Sequence, residues 1–135
     1  MKYILQPATS DFLVETTDLR FCVNERSGLS LTVEVIKNNF EREDPSAVST
    51  LEVVFPLFAK LEYTMMNFWE QNYNNFEINS DYIKAGFFYV KNSNWNKIQY
   101  DPLNRFNLNH FLIVGYDSYL EILANENFKL NFLID

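Results

Sequence analysis

Residues 19–36, LRFCVNERSGLSLTVEVI, contain the pattern that decides the fold. Apolar side chains alternate with other residues on both sides of a short polar segment that ends at Gly28, and such alternation is typical of strands with one buried face. Glycine readily adopts the positive φ that short connections between antiparallel strands often need. We therefore predict a β-hairpin here, and we expect an earlier strand at residues 12–15 to pair with it.

The last third of the chain also has the pattern of strands. Three runs, at residues 108–116, 119–124 and 128–134, are separated by short polar turns, and connections of this length favour antiparallel pairing. A further strand is predicted at residues 85–91, whereas residues 97–100 are expected to be short and extended. The sequence therefore predicts a three-stranded meander at this end of the chain.

The middle of the chain carries two competing patterns. Over residues 45–72, apolar residues recur at steps of three and four, which favours an amphipathic helix that starts at Asp44 and Pro45. The same residues also alternate, which favours a strand, and Pro56 is unfavourable inside either element. Because good helix formers follow the proline, we predict a helix kinked or broken near Pro56, with the strand as the alternative. The expected fold is α+β, a single domain over residues 1–135 in which a mainly antiparallel sheet packs on one helical segment.

Charge and composition restrict the classes of function. Eleven basic and eighteen acidic residues give a net charge of −7, which repels phosphate backbones, so no nucleic-acid partner is expected. The sequence has no apolar run long enough to span a membrane, and its start lacks the pattern of a secretory signal. We expect a cytoplasmic protein with no membrane partner.

Few side chains offer catalytic or metal-binding chemistry. His110 is the only histidine and Cys22 the only cysteine; we expect a partly buried or edge-strand histidine and a small core cysteine. A closed metal site needs several converging ligands, and the three isolated glycines do not form a phosphate-binding loop. The sequence therefore predicts no catalytic residue, no metal and no cofactor.

Two acidic segments are candidates for binding a partner protein. Residues 41–44 form a charged run at the expected helix start, and residues 115–121 place two tyrosines and two carboxylates around a turn. Tyrosine provides a large, rigid contact area, and carboxylates complement a basic partner. Alternation puts Tyr119 and Glu121 on the same face as Leu123, so that face is either an interface or core. The predicted partner-binding residues are Glu41, Glu43, Asp44, Tyr116, Asp117, Tyr119 and Glu121.

This profile resembles the small acidic immunity proteins of bacterial toxin-delivery systems, such as contact-dependent and polymorphic toxin systems. The stretches that carry the resemblance are residues 110–121, HFLIVGYDSYLE, and residues 41–44, ERED. The resemblance implies a stoichiometric inhibitor, without enzymatic activity, that neutralises a cognate toxin with a basic surface, for example a nuclease. A negative inhibitor would meet such a toxin with complementary potential and associate rapidly.

Two other classes of function stay open from the sequence. A small enzyme that uses carboxylates and His110 would have a concave pocket with perturbed titrating groups. A homo-oligomeric structural or adaptor subunit would have a large exposed apolar patch and would self-associate. Aromatic residues make up 17% of the chain, which provides material for such a patch.

Overall fold

A computed structural model describes residues 2–37, 48–72 and 74–133. These residues form mostly β-structure, with three short helical segments. The strands are β1 (Tyr3–Pro7), β2 (Phe12–Asn24), β3 (Gly28–Lys37), β4 (Val48–Phe55), β5 (Phe58–Thr64), β6 (Phe76–Glu77), β7 (Phe87–Val90), β8 (Leu108–Val114), β9 (Tyr119–Asn125) and β10 (Lys129–Leu133). The helices are α1 (Phe68–Asn72), a 3₁₀ helix (Ser80–Ala85) and α2 (Lys97–Tyr100).

The strands belong to two sheets. A six-stranded sheet has the order β5-β9-β8-β7-β1-β6, and a four-stranded sheet has the order β10-β4-β3-β2. Neighbouring strands pair antiparallel, except for β1 and β6, which pair parallel. Buried residues of both sheets form one continuous apolar cluster, so the two sheets pack against each other.

Aromatic side chains fill the core between the sheets. Phe55 at the end of β4 is fully buried and lies with its ring centroid 5.3–6.3 Å from those of Phe87, Phe111 and Phe128. The first two of these come from the six-stranded sheet, and Phe128 precedes β10. Ring pairs at this separation add to the area they bury, so this aromatic group joins the two sheets.

The opposite face of the six-stranded sheet, here called the outer face, has a second apolar cluster. Leu112 and Val114 of β8 contact residues of α1 and of the segment around Phe76 there, among them Phe68. Because β8 is buried on both faces, the residues on either side of its pleat are apolar. This explains the continuous run at residues 111–114.

The predicted hairpin at residues 19–36 is present. β2 and β3 pair antiparallel up to Asn24 and Gly28, and Gly28 has a φ of +87°. A Cβ atom at this position would collide with the backbone oxygen of Phe55, so both conformation and space favour glycine. The predicted earlier strand at residues 12–15 is the beginning of β2 itself, separated from the hairpin by a shift in register between Glu15 and Leu19.

The helix predicted over residues 45–72 is wrong, and so is the α+β assignment. Its described residues, 48–72, contain β4 and β5, and among them only α1 at the end is an α-helix. Leu51, Val53 and Phe55 alternate into the core, and β4 pairs with β3 on one side and β10 on the other. Burial and pairing on both sides outweigh local helix propensity. Pro56 lies in the connection between the strands, where it interrupts neither ladder.

Three smaller predictions also need correction. Residues 97–100 form the helical turn α2, with the Asn96 side chain accepting a hydrogen bond from the Gln99 backbone N–H. The strand expected at residues 85–91 is limited to β7, because the 3₁₀ helix occupies the residues before it. The meander is incomplete: β8 and β9 pair, but β10 crosses to the other sheet and pairs with β4. Phe128 packs against the core between the sheets, which favours this crossing.

The helices do not include a membrane-crossing segment. Across the part of the chain that the structure describes, no helix is both long and apolar enough to cross a bilayer.

Candidate functional site

The outer face of the six-stranded sheet carries a histidine and a glutamate among apolar neighbours. The pairing of β8 with β9 places Leu112 opposite Glu121, and His110 opposite Leu123. Because side chains alternate across a strand, His110, Leu112 and Glu121 lie on the same face. Two central strands thus bring a base and a carboxylate together.

His110 contacts hydrogen-bonding groups with both ring nitrogens. Its Nδ1 lies 2.6 Å from the Ser93 Oγ, and its Nε2 lies 3.0 Å from the Glu121 Oε1. The Ser93 Oγ also accepts a hydrogen bond from the Trp95 backbone N–H at 3.1 Å. The histidine has no exposed surface, so the loop after β7 closes over it.

His110 links two parts of the structure through its ring nitrogens. The Ser93 hydroxyl can donate to Nδ1 or accept from it, because its oxygen takes only one hydrogen bond from the backbone and has a second lone pair. The contact between Nε2 and the Glu121 Oε1 holds the carboxyl group against the ring. The histidine therefore joins the loop after β7 to β9.

Trp95 covers the histidine and separates it from Lys60. The indole stacks on the imidazole with a centroid separation of 4.0 Å and an interplanar angle of 18°. The Lys60 ammonium lies 4.6 Å from the Trp95 ring centroid and 3.1 Å from the Glu62 Oε1. An ammonium group is therefore already held at this position by a carboxylate and an aromatic ring.

A pocket of about 440 Å³ lies beside this cluster. This volume is within the range of small-molecule sites. Its walls combine aromatic rings, amides and two carboxylates, and one polar atom at the wall, the Asn72 Nδ2, is buried without a hydrogen-bond partner. The lining residues are Tyr3, Glu62, Phe68, Asn72, Asn75, Phe76, Asn94, Trp95, Leu112, Tyr119 and Glu121.

Two carboxylates act on the Tyr3 phenol at the pocket wall. Burial raises the pKa of the Tyr3 phenol, and the carboxylates of Glu121 and Glu62 raise it further, against a smaller opposing effect of Lys60. The hydrogen bond to Glu62 raises the pKa of Lys60, whose side chain is 34% exposed. Tyr3 also donates a hydrogen bond to the Asn94 Oδ1 at 2.6 Å, so its phenol marks the rim of the pocket.

A separate surface lies at the turn between β8 and β9. Tyr116 there is 64% exposed, and Met65 and Met66 at the end of β5 are 70% and 56% exposed. The Asn67 Nδ2 donates to the Tyr116 carbonyl oxygen at 3.2 Å, which holds the two segments together. We call Tyr63, Met65, Met66, Tyr116 and Asp117 the turn patch.

The predicted partner-binding residues fall into three groups. Tyr116 and Asp117 are exposed at the turn. Tyr119 is only 8% exposed, and the Glu121 side chain only 13%, and both line the pocket. Alternation turns these two towards the sheet's outer face instead of placing them with the turn. The third group, Glu41, Glu43 and Asp44, lies outside the described residues.

Two other expectations about single residues are wrong. His110 is fully buried on an inner strand, because β7 and β9 flank β8. Cys22 is exposed, because its position in β2 alternates with Phe21, which is the neighbour that packs against the core.

The residues that surround His110 are not among those predicted from the sequence. Ser93, Trp95 and Lys60 are distant from it in sequence, and nothing in their local pattern indicates that they converge. Within the described ranges, no group of three or more histidine, cysteine, aspartate or glutamate residues could hold a metal ion. Comparison of the chain with protein-family models, with curated proteins and with solved structures gave no match.

Proposed function

We propose that the protein is a stoichiometric inhibitor of the immunity-protein kind, which binds and neutralises a basic toxin of the cell that makes it. The observation that carries the proposal is the turn patch, where exposed apolar and aromatic side chains lie beside a carboxylate. Interfaces are enriched in tyrosine and methionine, and methionine adapts its shape to a partner. The turn patch therefore has the composition of a protein-binding surface.

The charges around the turn patch favour a basic partner. Asp117 is the exposed carboxylate of the turn patch, and residues 61–70 and 115–121 contain no lysine or arginine. The whole chain carries a net charge of −7, so the charge of the turn patch has the same sign as that of the protein as a whole. Such a field accelerates association with a positively charged protein and disfavours acidic ones.

A Ser–His–Glu arrangement also occurs in hydrolases, and the enzyme alternative therefore has an observation in its favour. The geometry around His110 fits that role poorly. The pocket is lined by Glu121 but by neither Ser93 nor His110, so a substrate in it would meet the carboxylate and not the hydroxyl. A nucleophile and its base must lie within reach of the reacting atom. The arrangement supports a positioning role for His110, which holds Glu121 at the pocket wall.

The first test is capture of the partner with charge-reversed controls. The parent protein, Asp117→Lys and Glu126→Lys are each immobilised and exposed to a lysate of cells that encode the chain. Glu126 is exposed at the other end of β9, roughly 20 Å from the turn at about 3.3 Å per residue. Both variants carry the same change of charge, so a difference between them reports position.

We expect the parent and Glu126→Lys to retain the same basic protein in a one-to-one complex, and Asp117→Lys to lose it. Expression of that protein alone should stop growth, and coexpression of the parent chain should restore it. Equal retention by all three baits, or a captured protein that is harmless alone, would contradict the proposal. Self-association of the purified parent through the turn patch would instead support the adaptor alternative.

A further inference from the structure

The pocket on the outer face contains polar groups that the fold itself does not use. Glu121 receives one hydrogen bond, from His110, and no lysine or arginine among the described residues lies within ion-pair distance of it. The Asn72 Nδ2 is buried at the same pocket, and no described residue gives it a hydrogen-bond partner. Buried polar groups are ordinarily hydrogen-bonded, and an exception needs an explanation. A ligand that fills the pocket would supply the missing contacts.

The lining residues define the charge of that ligand. The pocket contains two carboxylates and no basic side chain. Glu62 is already paired with Lys60, whereas no lysine or arginine among the described residues lies within ion-pair distance of Glu121. An anion in the pocket would meet the Glu121 carboxylate, and a cation would find its counter-charge there. The raised pKa of Tyr3, caused by burial and by Glu121 and Glu62, is consistent with a negative interior.

The rim of the pocket already holds a cation of the chain itself. Lys60 is bound there by Glu62 and lies over Trp95. Carboxylate and aromatic ring are the two groups by which proteins recognise alkylammonium and guanidinium ions. The pocket wall repeats this combination with Glu121 on the same face of β9 as Tyr119, whose ring packs on Phe68.

We propose that this pocket binds an alkylammonium or guanidinium group, with Glu121 as the main counter-charge and the Asn72 amide donating to an acceptor carried by the same ligand. The inference does not depend on the proposed function, because it concerns a site separate from the turn patch. The cationic group could belong to a free small molecule or to an arginine side chain of a protein, and both sources share the same chemistry.

The test is a titration of the purified chain, followed by calorimetry and by the fluorescence of Trp95 in a Trp69→Phe background. The probes are agmatine, butylammonium, butyrate and a blocked Gly-Arg-Gly peptide. We expect the two free cations to bind and butyrate not to bind. Glu121→Gln should weaken the binding of agmatine at least tenfold, because the substitution removes the negative charge and keeps an oxygen atom that can contact His110. Glu126→Gln, the same change at an exposed turn, should leave the affinity unchanged.

The outcomes separate the two sources and can overturn the proposal. Binding of agmatine and of the peptide indicates a site that accepts an arginine side chain, whereas binding of agmatine alone indicates a free small molecule. The inference would be contradicted if neither agmatine nor the peptide binds, or if agmatine binds the parent and Glu121→Gln with equal affinity. Tighter binding of butyrate than of agmatine would also contradict it. No protein partner takes part, so failure here is distinct from failure of the capture experiment.

Discussion

The two faces of the six-stranded sheet are formed by alternate side chains of the same strands, and they differ in chemistry. On the inner face, Phe111, Ile113 and Ile122 pack against the four-stranded sheet in an apolar core. On the outer face, the intervening residues of β8 and β9 include His110 and Glu121, which support a polar pocket. Strand alternation alone separates these two sets. One pair of neighbouring strands, β8 and β9, therefore contributes to the apolar core on one face and to the polar pocket on the other.

The largest expected effect is on the inner face. Phe55→Ala removes a fully buried ring that contacts aromatic residues of both sheets. We expect a loss of about 3–5 kcal/mol in the free energy of unfolding, because a cavity remains in the core. Urea unfolding followed by circular dichroism measures it. A loss below about 1 kcal/mol would show that the sheets do not depend on this aromatic group.

The second prediction compares the contribution of the outer face to the free energy of unfolding with that of the inner face. His110→Phe keeps the volume approximately but leaves the Glu121 carboxylate and the Ser93 hydroxyl without their partner. We expect a loss of about 2–4 kcal/mol, since each buried group without a hydrogen bond costs roughly 1–3 kcal/mol. The double variant His110→Phe, Glu121→Gln should recover part of this loss. Parent-like stability of the single variant would mean that the network stabilises nothing.

The smallest effect concerns the pH dependence of the outer face. The pKa of Tyr3 is raised in the folded protein, so the unfolded chain releases the phenolic proton first as the pH rises. The stability linked to Tyr3 is therefore present below the ordinary tyrosine pKa of about 10 and is lost above it. Tyr3→Phe should reduce the decline in unfolding free energy above that pH. Identical pH profiles of unfolding free energy for the parent and the variant would show that the Tyr3 phenol does not contribute to this decline.

The sequence predicts the period of the strands better than their partners. The alternation at residues 19–36 and 119–124 identifies strands and separates the two faces, and it places Tyr119 and Glu121 on the same face. The segment 45–72 contains helix and strand periods at once, and only pairing with β3 and β10 decides between them. Local propensity does not contain that information.

The candidate site could be predicted only in part. Tyr116 and Asp117 follow from a turn signal, and turns lie on the surface. The surroundings of His110 depend on the sheet order β7-β8-β9 and on the loop that brings Ser93 and Trp95 over β8. Such contacts arise from tertiary structure, so a single sequence gives no local signal for them.

The central claim, that the turn between β8 and β9 binds a basic partner through charge, is tested most directly by affinity measurements with the captured protein. Kd is compared for the parent, Asp117→Lys and Glu126→Lys at low and at high salt. We predict that Asp117→Lys weakens binding by about 2–5 kcal/mol if its carboxylate is desolvated in the complex, that Glu126→Lys has little effect, and that salt weakens the parent complex. Equal affinity of all three proteins, unchanged by salt, would contradict the account.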